Sequence, residues 1–142
     1  MPVVLVLLGV LTSCSSAFDN EVCEAIGKGM QNRDSCIFRL DAITRFKWDT
    51  LHVFSGPTTS EFIAEDYGIK PRTEKLSEYE ALYVFTNNGD IVKEEVFWPR
   101  ANICVIAGER RHEILLPNRI YHAYKLYAEE KPNDYRIFVP LK

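Results

Sequence analysis

The sequence has few of the residues from which catalytic and metal sites are built. Its 142 residues include three histidines and four cysteines, and no histidine stands beside a cysteine at the spacing of metal ligands. It also lacks a CxxC pair, a glycine-rich phosphate loop, a GxSxG nucleophile turn and an HExxH helix. We therefore expect a protein that is not an enzyme and that holds neither a metal nor a cofactor.

A long hydrophobic run is also missing. The apolar stretch at residues 3–11 is too short to cross a bilayer, which takes about 20 apolar residues as a helix. Its length fits the apolar region of an export signal. No lysine or arginine precedes it, so either the true start lies further upstream or the free amino group supplies the usual positive charge.

Strong charge of either sign is absent as well. The net charge is −3 at pH 7, and all of the charged side chains lie after Cys14. Nucleic-acid-binding proteins usually present a basic face, so we expect no nucleic-acid partner and no electrostatic adhesion to anionic lipid. The aromatic content of 12% is accounted for by packing in a core and a sheet. The oligomeric state is left open.

Residues 11–14, Leu-Thr-Ser-Cys, resemble the bacterial lipobox, in which a branched and two small residues precede a cysteine that is lipidated and becomes the mature amino terminus. The resemblance implies a signal peptide over residues 1–13, acylation of Cys14 and a tether over residues 14–18. The alternative is that Cys14 is an ordinary residue ahead of a cleavage site near Ala17.

Acylation at Cys14 would hold the protein permanently on a membrane. Each buried methylene contributes about 0.8 kcal/mol, and three acyl chains far exceed the single chain that gives marginal binding. The expected location is the cell envelope, facing the periplasm. Ser15, the residue after the lipidated cysteine, implies delivery to the outer membrane if the host is Gram-negative.

Residues 19–142 are few enough for one domain and sufficient to bury a core. They predict an α+β fold, with an antiparallel sheet of about six strands and two short helices. The first helix is capped by Asp19 or Asn20 and runs to about Met30, and its apolar face repeats every four residues, at Val22, Ile26 and Met30.

The second helix follows a capping box formed by Thr58 and Glu61. It directs Phe62, Ile63 and Tyr67 to the core and ends at Gly68. Extended segments are predicted at residues 36–44 and 48–55, and a β-hairpin turns at Asn88-Gly89. Two further pairs of strands are predicted, residues 103–107 with 112–116 and residues 121–128 with 135–139.

Three cysteines are left after lipidation, and an oxidising envelope favours one disulfide. Cys23 lies near the start of the first helix and Cys36 lies beyond its end, too far apart for the Cα separation of about 4.4–6.8 Å that a disulfide allows. We therefore expect Cys36 to pair with Cys104. Cys23 would then be a buried free thiol.

Two polar segments are candidates for binding a partner. Residues 70–80 are the most polar stretch of the chain, and Arg110, Arg111 and His112 form a small basic turn. Exposed loops on a rigid sheet commonly carry recognition. His52 alternates with apolar neighbours on its strand and is interpreted as a surface histidine.

Residues 47–59, Lys-Trp-Asp-Thr-Leu-His-Val-Phe-Ser-Gly-Pro-Thr-Thr, precede a short helix and a strand that ends at Asn88-Gly89. This order of Trp-Asp, Val-Phe and a proline turn resembles small bacterial envelope lipoproteins to which no activity is assigned. The resemblance covers residues 47–92 and has Thr58 where those proteins have tyrosine. It implies a fold and a location only.

These observations predict a non-enzymatic, membrane-anchored lipoprotein of the bacterial cell envelope that binds a protein or an envelope component. The alternative is an immunity or exclusion lipoprotein that neutralises a toxin or blocks a receptor in the periplasm. Such a protein would also be small, acidic and without catalytic residues. A toxin gene immediately upstream would favour the alternative.

Overall fold

The computed structural model describes residues 17–98, 111–128 and 131–138, with side chains described as far as residue 124. These residues form an α+β fold, as predicted, with two α-helices and nine strands rather than about six. The elements are α1 (Ala17–Met30), β1 (Ser35–Arg39), a 3-10 turn (Leu40–Ala42), β2 (Thr50–Ser55), β3 (Thr58–Thr59), α2 (Ser60–Tyr67), β4 (Lys75–Leu76), β5 (Ala81–Asn87), β6 (Asp90–Phe97), β7 (His112–Leu115), β8 (Ile120–Ala128) and β9 (Lys131–Phe138).

The described strands make three antiparallel sheets. A four-stranded sheet has the order β6-β5-β2-β7, a three-stranded sheet has the order β1-β8-β9, and β3 pairs with β4. Side chains alternate between the two faces of a strand. The inner face of the four-stranded sheet packs against α1, and its outer face packs against α2.

Helix α1 buries one stripe of apolar side chains against the inner face. The predicted face of Val22, Ile26 and Met30 is confirmed, and Phe18 extends it by one turn. The helix already begins at Ala17, so the prediction that Asp19 or Asn20 caps it is wrong. The carboxylate of Asp19 instead accepts a buried hydrogen bond from the hydroxyl of Tyr83, at 2.6 Å.

Helix α2 ends as predicted, because Gly68 closes it with a φ of 69°, in the left-handed region that glycine adopts most readily. Its start differs by one residue from the prediction. Thr58 belongs to β3, and Thr59 is the cap that accepts the Phe62 backbone N–H at 3.3 Å. Ile63 is buried as expected, whereas Phe62 is exposed.

The hairpin at Asn88-Gly89 is confirmed. Both residues have positive φ, 52° and 83°, and Asn87 lies opposite Asp90 across a two-residue turn. A bulge between Phe85 and Thr86 then shifts the register, so that Phe85 lies opposite Lys93.

The last two strands pair as the sequence predicted, but β9 begins earlier than expected. Its first residue is Lys131, so residues 131–134, which were expected to form the turn, are part of the strand. Strand β7 pairs with β2. Its predicted partner, residues 103–107, lies outside the described residues.

The expected disulfide between Cys36 and Cys104 is wrong, because Cys36 is a free thiol. Its sulfur contacts α1, 3.9 Å from the carbonyl oxygen of Ile26, and this burial raises the pKa of the thiol. Cys23 is disulfide-bonded instead. Cys14 and Cys104 lie outside the described residues.

Candidate functional site

The two segments that the sequence singles out for partner binding lie on either side of one strand end. The backbone N–H of Ser55, the last residue of β2, donates to the carbonyl oxygen of Arg111 at 3.0 Å. The N–H of Gly56 donates to the carbonyl oxygen of Glu80 at 2.8 Å. The end of residues 70–80 and the start of β7 are therefore neighbours, although about 30 residues of sequence separate them.

Glycine at position 56 permits this close approach. A Cβ atom there would overlap the backbone carbonyl oxygen of Ser77, so a larger residue would push residues 77–80 away from the end of β2. The loop is held further by the carboxylate of Glu80, which accepts the backbone N–H of Ser77 at 2.8 Å. The polar segment is thus fixed to the sheet at this point.

Of the three residues in the predicted basic turn, two are described. Arg111 is exposed, Arg110 lies outside the described residues, and His112 is half-buried as the first residue of β7. The ring of His112 lies opposite Phe54 with centroids 4.6 Å apart and contacts the ring of Tyr67 at 4.3 Å. The turn therefore has an aromatic side as well as a basic one.

A hydrogen bond joins His112 to His52, which is 60 residues away in the sequence. Nδ1 of His52 and Nε2 of His112 are 3.0 Å apart, and the two rings are within 7° of parallel, with centroids 5.3 Å apart. This centroid separation is what two imidazoles give when they meet nitrogen to nitrogen in one plane. One nitrogen therefore donates and the other accepts.

The environment favours the neutral form of this histidine pair. Burial lowers the pKa of His112. Burial also lowers the pKa of His52, the positive charge that His112 can carry lowers it further, and nearby Asp49 opposes both effects. Asp49 is itself held by the backbone N–H of Asn88, at 2.6 Å, which lowers the pKa of its carboxyl group.

The exposed side chains around this strand end form what we call the β2-end surface, defined by Tyr67, Tyr79 and Arg111 together with the half-buried His112. Tyr67 is 38% exposed and Tyr79 is 54% exposed. Tyrosine and arginine are the residue types that most often dominate the energetics of protein interfaces. The surface can therefore bind a partner by stacking and by pairing with the guanidinium of Arg111.

Two other kinds of feature, a metal site and a membrane-spanning helix, are not found among the described residues. No group of three or more histidine, cysteine, aspartate or glutamate side chains there is arranged to hold a metal ion. Within the same residues, no helix is long and apolar enough to cross a membrane.

Sequence reasoning missed the histidine pair. The alternation of β2 places His52 on the same face as Phe54. The prediction of a surface histidine requires this face to be open to solvent. Instead, α2 covers it, and His52 is half-buried. The sequence carries only part of this signal, namely that His52 shares a face of its strand with the apolar Phe54.

Comparisons with protein-family models, with curated proteins and with solved structures each find no match to this chain.

Proposed function

We propose that this chain is a non-enzymatic lipoprotein of the bacterial cell envelope, anchored through Cys14, and that it binds a protein through the β2-end surface. The observation that carries the proposal is the pair of backbone hydrogen bonds at the end of β2, from Ser55 to Arg111 and from Gly56 to Glu80. They join two candidate segments into one surface.

The composition of this surface supports a protein partner. Its exposed aromatic rings offer large contact areas with few rotatable bonds, and Arg111 can pair with an acidic group or stack on a ring. The surface is also supported from below, because Tyr67 packs on His112 and on Phe54, at 4.3 and 5.3 Å. A supported surface loses little conformational entropy on binding.

Capture of a partner from envelope extracts tests this proposal. The tagged, lipidated protein is compared with Arg111→Glu and Tyr67→Ala, and the captured protein is identified and its Kd measured. Replacing one energetically dominant contact costs about 2 kcal/mol or more, so the affinity should fall by about 30-fold or more.

The controls are Arg33→Glu and Ile37→Ala, which make comparable changes at exposed residues away from the β2-end surface. They should leave the affinity unchanged. A Kd that is unaffected by Arg111→Glu and Tyr67→Ala would show that the partner binds elsewhere. If the captured partner is a toxin that the chain neutralises, the chain is an immunity lipoprotein, the alternative function given above.

The anchor is tested separately. Cys14→Ala should abolish labelling by a fatty-acid analogue and leave an unprocessed or soluble species, whereas Ser16→Ala should be labelled like the wild type. Unchanged labelling and membrane retention of the Cys14→Ala protein would contradict lipidation at this position.

A further inference from the structure

The start of α1 is fixed to the edge of the four-stranded sheet. The backbone N–H of Phe18 donates to a carboxylate oxygen of Glu95 on β6, at 3.1 Å. The ring of Phe18 packs edge-on against Tyr83 and Phe85 of the neighbouring strand, with centroids 5.0 and 5.1 Å apart. The amino-terminal end of the helix therefore lies over β5 and β6.

A lipid anchor at Cys14 would act through a very short tether. Only three residue steps separate Cys14 from Ala17, the first residue of α1, and an extended chain spans at most about 3.6 Å per residue. The tether is therefore no longer than about 11 Å. With its lipid in a bilayer, the chain would hold the β6 edge of the sheet close to the headgroups.

Strand β6 carries apolar side chains that suit such a position. Val92, Val96 and Trp98, which directly follows the strand, are all exposed, and Trp98 is 46% exposed. Val96 and Trp98 lie on the same face because side chains alternate along a strand. Tryptophan is enriched where proteins meet the interface between water and membrane.

Both glutamates of β6 have partners within the protein. The carboxylate of Glu94 accepts the backbone N–H of Arg72 at 2.9 Å, and Glu95 forms an ion pair with Lys93 at 3.0 Å. The positive charge of Lys93 offsets the negative charge of Glu95 and so reduces the repulsion of Glu95 from lipid phosphates. The side chain of Arg72 is exposed beside this strand, where it can meet a phosphate.

We propose that the bilayer is the partner of this edge, and that the domain lies with Val92, Val96 and Trp98, which we call the β6 surface, against the lipid headgroups. This inference rests on the anchor at Cys14 proposed above. Across the sheet, Val96 is in register with Leu82, Phe54 and His112. The β2-end surface therefore shares this face and lies towards the other edge strand, about 14 Å away at three strand spacings.

Tryptophan fluorescence tests the orientation directly. The chain has two tryptophans, and Trp48 is only 6% exposed, so Trp98 is the one that can report contact with lipid. The lipidated protein is reconstituted into phosphatidylcholine vesicles, with and without brominated acyl chains that quench nearby indoles. We expect at least half of the Trp98 emission to be quenched, and the Trp98→Phe protein to keep its emission.

A matched control places the fluorescent tryptophan at the other end of α1. Ile37 on β1 is 70% exposed and follows the carboxyl end of α1, which spans about 20 Å for its 14 residues. Ile37→Trp in the Trp98→Phe background should give an indole that brominated lipid does not quench. Both substitutions are at exposed positions and leave the core intact.

The outcomes separate this inference from the anchor on which it rests. Flotation with vesicles and mass analysis report the lipid independently of fluorescence. If the protein floats and carries acyl chains but Trp98 is not quenched, or the indole introduced by Ile37→Trp is quenched equally, the orientation is wrong and the anchor stands. If no acyl chains are found and the protein does not float, the anchor and the orientation both fail.

Discussion

The inner and outer faces of the four-stranded sheet use alternate residues of the same strands and yet differ in chemistry. On the inner face, Leu51, Val53 and Phe85 are buried beneath α1. On the outer face, His52 and Phe54 alternate with them; Phe54 packs against α2, and His52 hydrogen-bonds to His112. Burial on both faces of a sheet therefore does not require the same composition on both.

The polar groups on the two faces differ in their burial and in their pKa shifts. The inner face buries Asp19, whose carboxylate accepts the hydroxyl of Tyr83, and burial beside that acid raises the pKa of Tyr83 well above its ordinary value. The outer face holds two imidazoles whose pKa values are lowered. The inner bond lies in the core, whereas the outer pair stays neutral to a lower pH than free histidine does.

The largest expected effect is on the inner face. The ring of Phe85 has edge contacts to Phe46 and Trp48, at 5.0 and 5.2 Å, as well as to Phe18. Phe85→Ala should lower the free energy of unfolding by about 3–5 kcal/mol, measured by urea denaturation. The control is Phe62→Ala, at an exposed position of α2, and an equal loss in both variants would erase the contrast between the faces.

Tyr83→Phe should have the next largest effect, because it removes the donor at 2.6 Å from the buried carboxylate of Asp19. Loss of one partner of a buried polar group costs about 1–3 kcal/mol. Tyr67→Phe on the outer side keeps the ring that contacts His112 and should change stability little. Denaturation of both proteins at one pH checks this, and a neutral Tyr83→Phe would mean that the buried bond contributes nothing.

Acidification should distinguish the faces with a smaller effect. Unfolded histidine has a pKa of about 6.5, and the folded values of His52 and His112 lie below it. The unfolded chain therefore binds protons first as the pH falls. The contribution of the two histidines to the free energy of unfolding is fully present above about pH 6.5 and is lost as the pH falls from there through the pKa values of the folded protein. Because both rings are partly exposed, the loss should be less than about 1.4 kcal/mol per pH unit for each histidine.

Urea denaturation between about pH 7.5 and 5.5, on either side of the ordinary histidine pKa, measures this slope. The double variant His52→Gln, His112→Gln lacks both titrating groups and should show a flatter dependence on pH over the same range. A wild-type slope equal to that of the double variant would show that the pair is not linked to folding.

The smallest effect on stability is expected at the β2-end surface. Arg111 is exposed, and an exposed charge contributes about 0–1 kcal/mol. Arg111→Glu should therefore unfold within about 1 kcal/mol of the wild type while losing affinity for the partner. A large loss of stability would assign Arg111 to the fold rather than to binding.

Local patterns predicted the parts of the fold that local chemistry determines. The four-residue spacing of Val22, Ile26 and Met30 identified the buried face of α1, and Asn88-Gly89 identified the hairpin. The cap at Asp19 was wrong because a tertiary partner, Tyr83, uses that carboxylate. A local sequence pattern does not indicate a partner that lies 64 residues away in the chain.

The candidate site was only partly predictable for the same reason. Polar composition singled out residues 70–80 and Arg111, but their meeting at the end of β2 depends on how three strands pair. The predicted bridge from Cys36 failed because packing against α1 decides the environment of that sulfur. Contacts of this kind are set by topology, which the sequence pattern does not specify.

Photo-cross-linking in intact cells is the sharpest test of whether the β2-end surface binds a protein. A photoreactive phenylalanine replaces Tyr67 in one protein and Ile37, which is 70% exposed on β1, in another. We predict a discrete cross-linked species from position 67 that position 37 does not give. Cross-links from position 37 alone, or equal products from both positions, would contradict binding at this surface.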